Sequence, residues 1–382
     1  MLAAMSGQRD PDTLLARLKR RIQTDGPLTV ADYMEACLSD PEFGYYTTRD
    51  PFGTRGDFTT APEVSQIFGE LIGLWSAVVW RQIGSPKQVA FVELGPGRGT
   101  LMDDALRAAK TVPEFRQACE VHLVETSPVL QDRQAERLEK SGAEINWYRS
   151  LADIPAGPTI LIANEFLDAL PVRQFINRQG NWFERYVGLS ENGELEFQTG
   201  EEVSGSDNAI SECLRSRAHD GDVVECRPCM DILVGQLAER AQQFPLMALF
   251  IDYGHNASGP GETLQAVRVH DFANPLETPG EADLTAHVDF GELGKIAVRC
   301  GLRAYGPIAQ GHFLLGLGLK ERCEKLMSNA DPSIRNNIAS GAQRLADPAQ
   351  MGELFKVMAV GSSSTVPPAF PNQHSGDRRN DR

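Results

Sequence analysis

A short glycine-rich stretch, 93-ELGPGRGT-100, carries the clearest chemical signal in the sequence. An acidic residue near the end of an apolar run, typical of a buried strand, precedes three glycines in alternate positions. Glycine lets the backbone approach a ligand closely, which indicates a binding loop between a strand and a helix. The members predicted to bind a cofactor are Glu93, Gly95, Gly97, Arg98, Gly99 and Thr100.

The spacing of this loop disfavours phosphate-binding sites. The dinucleotide fingerprint G-x-G-x-x-G/A needs a small residue where this chain has Thr100, and the P-loop is excluded because no Gly-Lys-Ser/Thr follows. Glu93 would repel a pyrophosphate but attract a cation. S-adenosylmethionine (SAM), which carries an ammonium and a sulfonium but no phosphate, therefore fits the loop better than NAD. A tight strand-to-helix turn without a ligand is the remaining alternative.

A second acid, Glu125, ends the next predicted strand, 120-EVHLVE-125. In dinucleotide-binding folds, an acid at this position accepts hydrogen bonds from the ribose. Its separation from the glycine loop exceeds the usual distance of about 20 residues, and the insert 110-KTVPEFRQAC-119 accounts for the difference. The two acids and the glycine loop together predict a SAM site at the switch point of a parallel sheet.

Alternating strands and helices predict an α/β fold with a doubly wound parallel sheet. We expect a helix over 100–109 and a final pair of strands over 303–319. Residues 173–200 alternate polar and apolar side chains and carry turn signals at Gln179–Gly180 and Asn192–Gly193, which predicts an inserted antiparallel hairpin unit. The parallel strands are predicted at 89–94, 120–125, 158–166 and 246–254.

Charge and composition exclude several classes of function. The 382 residues carry a formal net charge of −15, which argues against a general nucleic-acid binder. No run of 18 or more apolar residues occurs, so we expect no membrane insertion. The first residues do not resemble a secretory signal, and Asp10 and Asp12 disfavour a mitochondrial presequence. A bacterial cytoplasmic enzyme is the simplest expectation.

Seven cysteines are scattered through the chain, and Cys226 and Cys229 form one C-R-P-C sequence. Only Cys213 and His219 lie near enough in sequence to complete a zinc ligand set, and their spacing does not follow the usual paired pattern. We therefore expect packing cysteines and no metal.

Motifs outside the glycine loop give the chain a family resemblance. Together with VELGPGRGTLMDDALR, they are ANEFLDALPV, LFIDYG, ADLTAHVDF and GDFTTAPEVSQIFGELIG. Over roughly Leu28 to Leu319, the sequence resembles the MidA-type SAM-dependent methyltransferases. The resemblance implies a class I (Rossmann-like) methyltransferase core with an N-terminal helical extension and an inserted antiparallel β-rich subdomain.

The expected domains follow from this layout. Residues 1–85 form the N-terminal helical extension and an active-site cover loop, and residues 86–172 with 246–320 form the SAM-binding core. The inserted subdomain covers 173–245. Residues 361–382 are expected to be a disordered tail because they are polar and rich in Pro, Ser and charge.

The resemblance also implies an activity. The mitochondrial member of the family is the arginine methyltransferase that assists assembly of respiratory complex I, and a bacterial relative is expected to act on the equivalent NADH dehydrogenase subunit. A homodimer is one candidate assembly. Two alternatives stay open: a non-catalytic assembly factor that binds such a subunit, and a methyltransferase with a different substrate.

Arginine methylation needs acids that orient the guanidinium, which is protonated at any ordinary pH. Glu165 and Asp168, three residues apart after a predicted strand, are candidates for this clamp. Asn164 is a candidate to position the acceptor nitrogen and to contact the cofactor, and His287 is a further candidate proton acceptor. In the alternative, Asp168 caps a helix, Glu165 is solvated and His287 is structural.

The segment 56-GDFTTAPE-63 is predicted to cover the site. Asp57 and Glu63 are candidates to reach the cofactor's ammonium, and Arg98 is a candidate to pair with either acid. The alternative is a packed N-terminal cover with no chemical role.

Overall fold

The structure is a computed structural model. It describes two compact units. The residues that it describes are 13–48, 60–203, 210, 212–268 and 271–371. The first unit takes its described residues from 1–49, 171–227 and 259–286. The second unit takes its described residues from 50–170, 228–258 and 287–382.

The secondary structure alternates between short strands and helices along most of the chain. The strands are β1 (Leu28–Thr29), β2 (Val89–Leu94), β3 (Cys119–Val124), β4 (Ile145–Tyr148), β5 (Thr159–Asn164), β6 (Arg173–Arg178), β7 (Asn181–Leu189), β8 (Leu195–Glu202), β9 (Val223–Cys226), β10 (Leu246–His255), β11 (Gln265–Arg268), β12 (Asp271–Ala273), β13 (Asp283–Thr285), β14 (Val288–Asp289), β15 (Arg303–Ala309) and β16 (Phe355–Gly361). The helices are α1 (Leu14–Asp25), α2 (Val30–Ser39), α3 (Tyr45–Thr48), α4 (Ala61–Val64), α5 (Gln66–Gln82), α6 (Thr100–Ala109), α7 (Pro113–Ala118), α8 (Pro128–Leu138), α9 (Glu212–Arg217), α10 (Pro228–Ala241), α11 (Phe290–Arg299), α12 (Gln310–Gly316), α13 (Leu319–Asn329), α14 (Pro332–Ala346) and α15 (Met351–Leu354). Two 3₁₀ turns cover Glu139–Ser141 and Leu151–Asp153.

The second unit is built on an eight-stranded sheet in the order β15-β16-β10-β5-β2-β3-β4, with β14 beside the end of β10. Strands β2, β3, β4, β5 and β10 are parallel, whereas β16 is antiparallel to both of its neighbours. The chain runs from β2 outward to β4 and then returns to β5 on the other side of β2. This reversal creates a switch point between β2 and β5, where open α/β sheets bind their ligands.

Alternate residues of a strand point to opposite faces of the sheet. The strands of this sheet are apolar on both faces, and helices cover both. In β2, Phe91 packs in the layer with α5 and α6, and Val92 packs in the layer with α10 and α11. This arrangement confirms the predicted α/β class. The four predicted parallel strands are also confirmed, with ends that differ by at most two residues, and the predicted helix over 100–109 is α6.

Helices α5 and α6 pack closely because two glycines face the contact. A Cβ added to Gly73 would lie 2.5 Å from the carbonyl oxygen of Ala105, and one added to Gly69 would lie 2.6 Å from Cβ of Asp104. No side chain fits at either distance without a shift of the backbone. Because α6 begins directly after the glycine loop, this packing fixes the helix that supports the loop.

Two expectations for the C-terminal part of the chain are wrong. The predicted second strand within 303–319 is helix α12, in which the adjacent apolar residues Phe313 and Leu314 are buried. The antiparallel partner of β15 is instead β16, which follows three further helices. The disordered tail does not begin at Gly361, because Gly361 belongs to β16 and Phe370 packs on Phe313 with ring centroids 5.6 Å apart. Residues 372–382 lie outside the described part of the chain.

The first unit contains the predicted antiparallel hairpins. Its larger sheet has the order β1-β7-β6-β9, with β8 also paired to β7, and a three-stranded sheet has the order β12-β11-β13. The predicted turns are confirmed, since Gln179, Gly180 and Gly193 have positive φ angles between β6, β7 and β8. None of the described helices in either unit is both long enough and apolar enough to cross a membrane.

Candidate active site

A cavity opens at the switch point of the second unit. It brings together the glycine loop, the end of β5 and helix α4 of the predicted cover. The described residues that line it are Thr60, Pro62, Glu63, Glu93, Gly95, Pro96, Gly97, Arg98, Thr100, Leu101, Asn164 and Glu165.

The glycine loop has a backbone that other residues rarely adopt. Gly95, Gly97 and Gly99 have φ angles of 61°, 52° and 76°, all in the left-handed region. Gly95 also lies against Phe166, whose Cδ2 would be 2.9 Å from an added Cβ. The alternating glycines therefore follow from the turn itself, which wraps the backbone around one end of the cavity.

Glu93 is a buried acid in the wall of this cavity. The residue is 3% exposed, and burial raises its pKa to about 8. Its Oε2 atom, like Oδ1 of Asn164, has no hydrogen-bond partner among the described residues. A buried acceptor without a donor costs free energy. Two such acceptors on one cavity fit a ligand that supplies N–H groups, such as an ammonium.

Glu165 differs from Glu93 in both backbone and contacts. Its φ of 49° is left-handed, which is uncommon for a residue with a side chain and typical of functional sites. Its Oε1 atom accepts hydrogen bonds from the backbone N of Ala61 at 2.9 Å and from Nδ2 of Asn164 at 3.2 Å. Desolvation, with a smaller contribution from the charge of Asp168, raises its pKa to about 7. The carboxyl group therefore titrates in the range that suits a proton acceptor near neutral pH.

Asp168 and His287 are not among the described residues that line the cavity. Asp168 is buried in the turn after β5, where its Oδ1 accepts the backbone N–H of Ala169 at 2.9 Å. His287 packs edge to face on Tyr253, with ring centroids 5.3 Å apart. The structure does not bring these two residues to the described lining, and their catalytic roles stay predictions.

Glu125 is connected to the glycine loop through a residue that the sequence analysis missed. Nε2 of Gln134 donates to Oε2 of Glu125 at 3.1 Å and to the carbonyl oxygen of Gly97 at 2.7 Å. The indole of Trp147 donates to Oε1 of the same amide at 2.9 Å, which fixes its orientation. Burial raises the pKa of Glu125. The only sequence signal for Gln134 is its place on the helix that follows this acid.

The described part of the cover segment, residues 60–63, contacts both sides of the cavity. The hydroxyl group of Thr100 donates to Glu63, and the backbone N–H of Ala61 donates to Glu165. Helix α4 therefore joins the start of α6 to the end of β5. These contacts place Glu63 beside the glycine loop, and its contact with a cofactor stays a prediction.

Two predicted contacts of the cover have no test in the described residues. Asp57 lies outside them, so its contact with a cofactor stays a prediction, as does the pairing of Arg98 with Asp57 or Glu63. Arg98 also belongs to a neighbouring surface cavity with Arg133, Glu136 and Arg137. Within the described residues, no three His, Cys, Asp or Glu side chains are grouped to hold a metal ion.

Comparison with known proteins assigns the chain to a family. A family model described as "Putative S-adenosyl-L-methionine-dependent methyltransferase" matches residues 71–308. The mitochondrial protein arginine methyltransferase NDUFAF7 homolog of Drosophila melanogaster is 38% identical over 388 residues, covering 94% of this chain and 87% of the relative. The human protein arginine methyltransferase NDUFAF7 is 36% identical over 372 residues, covering 91% of this chain and 83% of its own.

A solved structure gives the same assignment. A protein from Burkholderia thailandensis, bound to S-adenosyl-homocysteine, superposes with a TM-score of 0.80 at 27% identity and covers 93% of each chain. A second, native structure from that organism also gives a TM-score of 0.80 at 27% identity, over 94% of each chain. The chain therefore belongs to the S-adenosyl-L-methionine-dependent methyltransferases of the MidA type, with the class I core that this family shares.

Proposed function

We propose that the protein is a protein-arginine N-methyltransferase. The observation that carries this proposal is the placement of two desolvated carboxyl groups, Glu93 and Glu165, at neighbouring strand ends on one cavity. Glu93 is available to the ammonium of the cofactor, and Glu165 is available to the guanidinium of the acceptor. The fly and human relatives are named protein arginine methyltransferases, which supports the same chemistry.

The β2 side of the cavity fits SAM. Oε2 of Glu93 and Oδ1 of Asn164 are buried acceptors for an ammonium, and the glycine loop exposes backbone beside them. Glu125, held by Gln134, is the proposed acceptor for ribose hydroxyls. When bound, SAM supplies a methyl group from its sulfonium to a lone pair of the acceptor nitrogen, and the S–C bond breaks to leave a neutral thioether.

The β5 side supplies the groups for the acceptor. The described hydrogen bonds of Glu165 use Oε1, which leaves Oε2 for a guanidinium N–H. In this proposal its carboxylate orients one guanidinium nitrogen and accepts the proton that this nitrogen loses as the new N–C bond forms. Asp168, whose charge acts on Glu165, is the proposed second acid of the site.

The family resemblance supports a complex I (NADH dehydrogenase) subunit as the protein substrate, with methylation assisting its assembly. The test is mass spectrometry of complex I subunits from a strain that lacks the gene. We expect an arginine methylation to disappear and to return with the wild-type gene but not with Glu165→Gln. Unchanged arginine methylation in the deletion strain would contradict the proposal and favour a non-catalytic assembly factor. The homodimer and the cytoplasmic location stay predictions.

A further inference from the structure

A buried carboxylate beneath the turn after β5 has no part in the chemistry proposed above. Asp252 lies in β10, the neighbour of β5, and is 1% exposed. Its Oδ2 atom accepts the backbone N–H groups of Phe166, Leu167 and Asp168 at 3.2, 2.9 and 3.2 Å. Its Oδ1 atom accepts the N–H of Tyr253 at 2.9 Å. One charged side chain thus satisfies three successive N–H groups that have left the sheet.

The residue directly before these three N–H groups is Glu165. The parallel ladder between β5 and β10 ends at the pair Asn164 and Ile251, and the N–H of Glu165 makes one more bond, to the carbonyl oxygen of Ile251 at 2.9 Å. The chain then turns through the left-handed φ of Glu165. A residue with a side chain keeps such a φ only where its surroundings hold it. The carboxylate of Asp252 holds the turn directly after it.

We propose that Asp252 is a positioning residue, which keeps Glu165 in its left-handed conformation and its carboxyl group at the cavity. This inference rests on the proposed function, in which Glu165 contacts the acceptor. Asp252 itself is not among the described residues that line the cavity. Its effect on the reaction is therefore transmitted through the backbone of the turn.

The test compares Asp252→Ala and Asp252→Asn with a matched control, Asp289→Ala. Asp289 is also a carboxylate that accepts a backbone N–H in the second unit, from Glu292 at 2.8 Å, and it caps α11. Three quantities are measured for each full-length variant. They are hydrogen–deuterium exchange of the amides, SAM affinity by calorimetry, and kcat and KM for methyl transfer.

For Asp252→Ala we expect exchange of the 166–168 amides to rise at least about tenfold relative to the β2 amides, because the acceptor of all three is gone. We expect kcat to fall on the order of 100-fold, the effect of a small misplacement of a catalytic group. SAM affinity stays within about threefold, since the glycine loop is on another element. Asp252→Asn keeps one acceptor oxygen, so we expect intermediate values for both the exchange of the 166–168 amides and kcat. Asp289→Ala changes neither the 166–168 amides nor kcat.

Unchanged exchange at 166–168 in Asp252→Ala, or unchanged kcat in a variant whose turn has become mobile, would overturn the inference. An equal rise of exchange in β2 and in the turn would also overturn it, because it would show a purely structural role. If Asp252→Ala does not fold, the inference is tested with Asp252→Asn, by the exchange of the 166–168 amides and by kcat. If the wild-type protein transfers no methyl group to arginine, the proposed function fails, whereas the exchange result still reports whether Asp252 holds the turn.

Discussion

Two carboxyl groups line the same cavity at neighbouring strand ends, Glu93 in β2 and Glu165 after β5. They differ in backbone conformation and in hydrogen bonding. Glu93 belongs to a regular strand, and its Oε2 has no hydrogen-bond partner among the described residues. Glu165 has a left-handed backbone, and its Oε1 is held by Ala61 and Asn164. Burial raises the pKa of both, to about 8 and about 7.

In the proposed function, this difference lets one cavity bind two cations. A buried acid that lacks a donor is suited to a ligand that brings its own positive charge and satisfies the acid as it binds. An acid that is already held in place is suited to orient a nitrogen during a reaction, because its geometry does not depend on the ligand. In the proposed enzyme, Glu93 therefore acts on affinity for the cofactor and Glu165 acts on turnover.

The largest expected effect is on turnover. Glu165→Gln removes the proposed proton acceptor but keeps a side chain of the same size, so we expect kcat to fall by about 10²–10⁴. SAM affinity should stay within about threefold, because the glycine loop is unchanged. Single-turnover methyl transfer and calorimetry measure the two quantities on the same preparation. A loss of SAM affinity as large as the loss of kcat would contradict the proposal that Glu93 acts on cofactor affinity and Glu165 on turnover.

The next effect is on cofactor affinity. Glu93→Gln removes the carboxylate that would pair with a bound cation, and we expect SAM to bind on the order of 30- to 100-fold more weakly, since hydrogen bonds to charged groups are worth about 1.5–3 kcal/mol. The matched control is Glu120→Gln, an exposed acid on neighbouring β3 whose side chain bonds to Gln88. Calorimetry should show wild-type affinity for this control. Equal affinities for the wild-type protein and Glu93→Gln would mean that the cofactor's cation lies elsewhere.

Cofactor affinity should also depend on pH. Because burial raises the pKa of Glu93 to about 8, a cationic ligand must displace a proton from it below that pH. We expect SAM affinity to increase up to about tenfold per pH unit between about pH 6 and 7.5, and one proton to be released per SAM bound. Calorimetry in buffers of different ionisation enthalpy counts the protons. If SAM affinity depended on pH equally steeply in Glu93→Gln, the released proton would come from another group.

The smallest effect is on the stability of the protein without ligand. The raised pKa values mean that the folded state holds more protons than the unfolded state between about pH 4.5 and 8. Stability from Glu93 and Glu165 is therefore present at low pH and is lost as pH rises through about 7 to 8. We expect the free energy of unfolding to fall by about 1–2 kcal/mol between pH 7 and 8, as measured by denaturant titration. In a double variant of both residues to Gln, this part of the slope should vanish.

The sequence predicts the β2 side of the site well because the residues that form it are contiguous in the chain. Glu93 and the glycine loop lie within seven residues, and the left-handed turn leaves glycine as the natural residue at three of them. The apolar runs of β2 and β3 and the helical pattern of α6 are also visible in the local sequence. The acid, the glycines and the first strand are therefore visible without any knowledge of the tertiary structure.

The β5 side and the C-terminal strand depend on contacts that are distant in sequence. The φ of Glu165 follows from bonds to β10, more than 80 residues away along the chain, and no local pattern marks it. Likewise, no local pattern predicts the extended residue Ser65, which separates α4 from α5. Strand β16 pairs between β10 and β15 only after the four helices α12 to α15 have intervened. These features are set by tertiary packing rather than by propensity.

A crystal structure with S-adenosyl-homocysteine and an arginine-containing substrate peptide tests the division of roles most directly. We predict that the ammonium of the bound molecule donates to Oε2 of Glu93, while the peptide guanidinium donates to the carboxylate of Glu165. The left-handed backbone of Glu165 should be the same as in the protein without ligand. An ammonium bound away from Glu93, or a guanidinium that does not reach Glu165, would contradict the account.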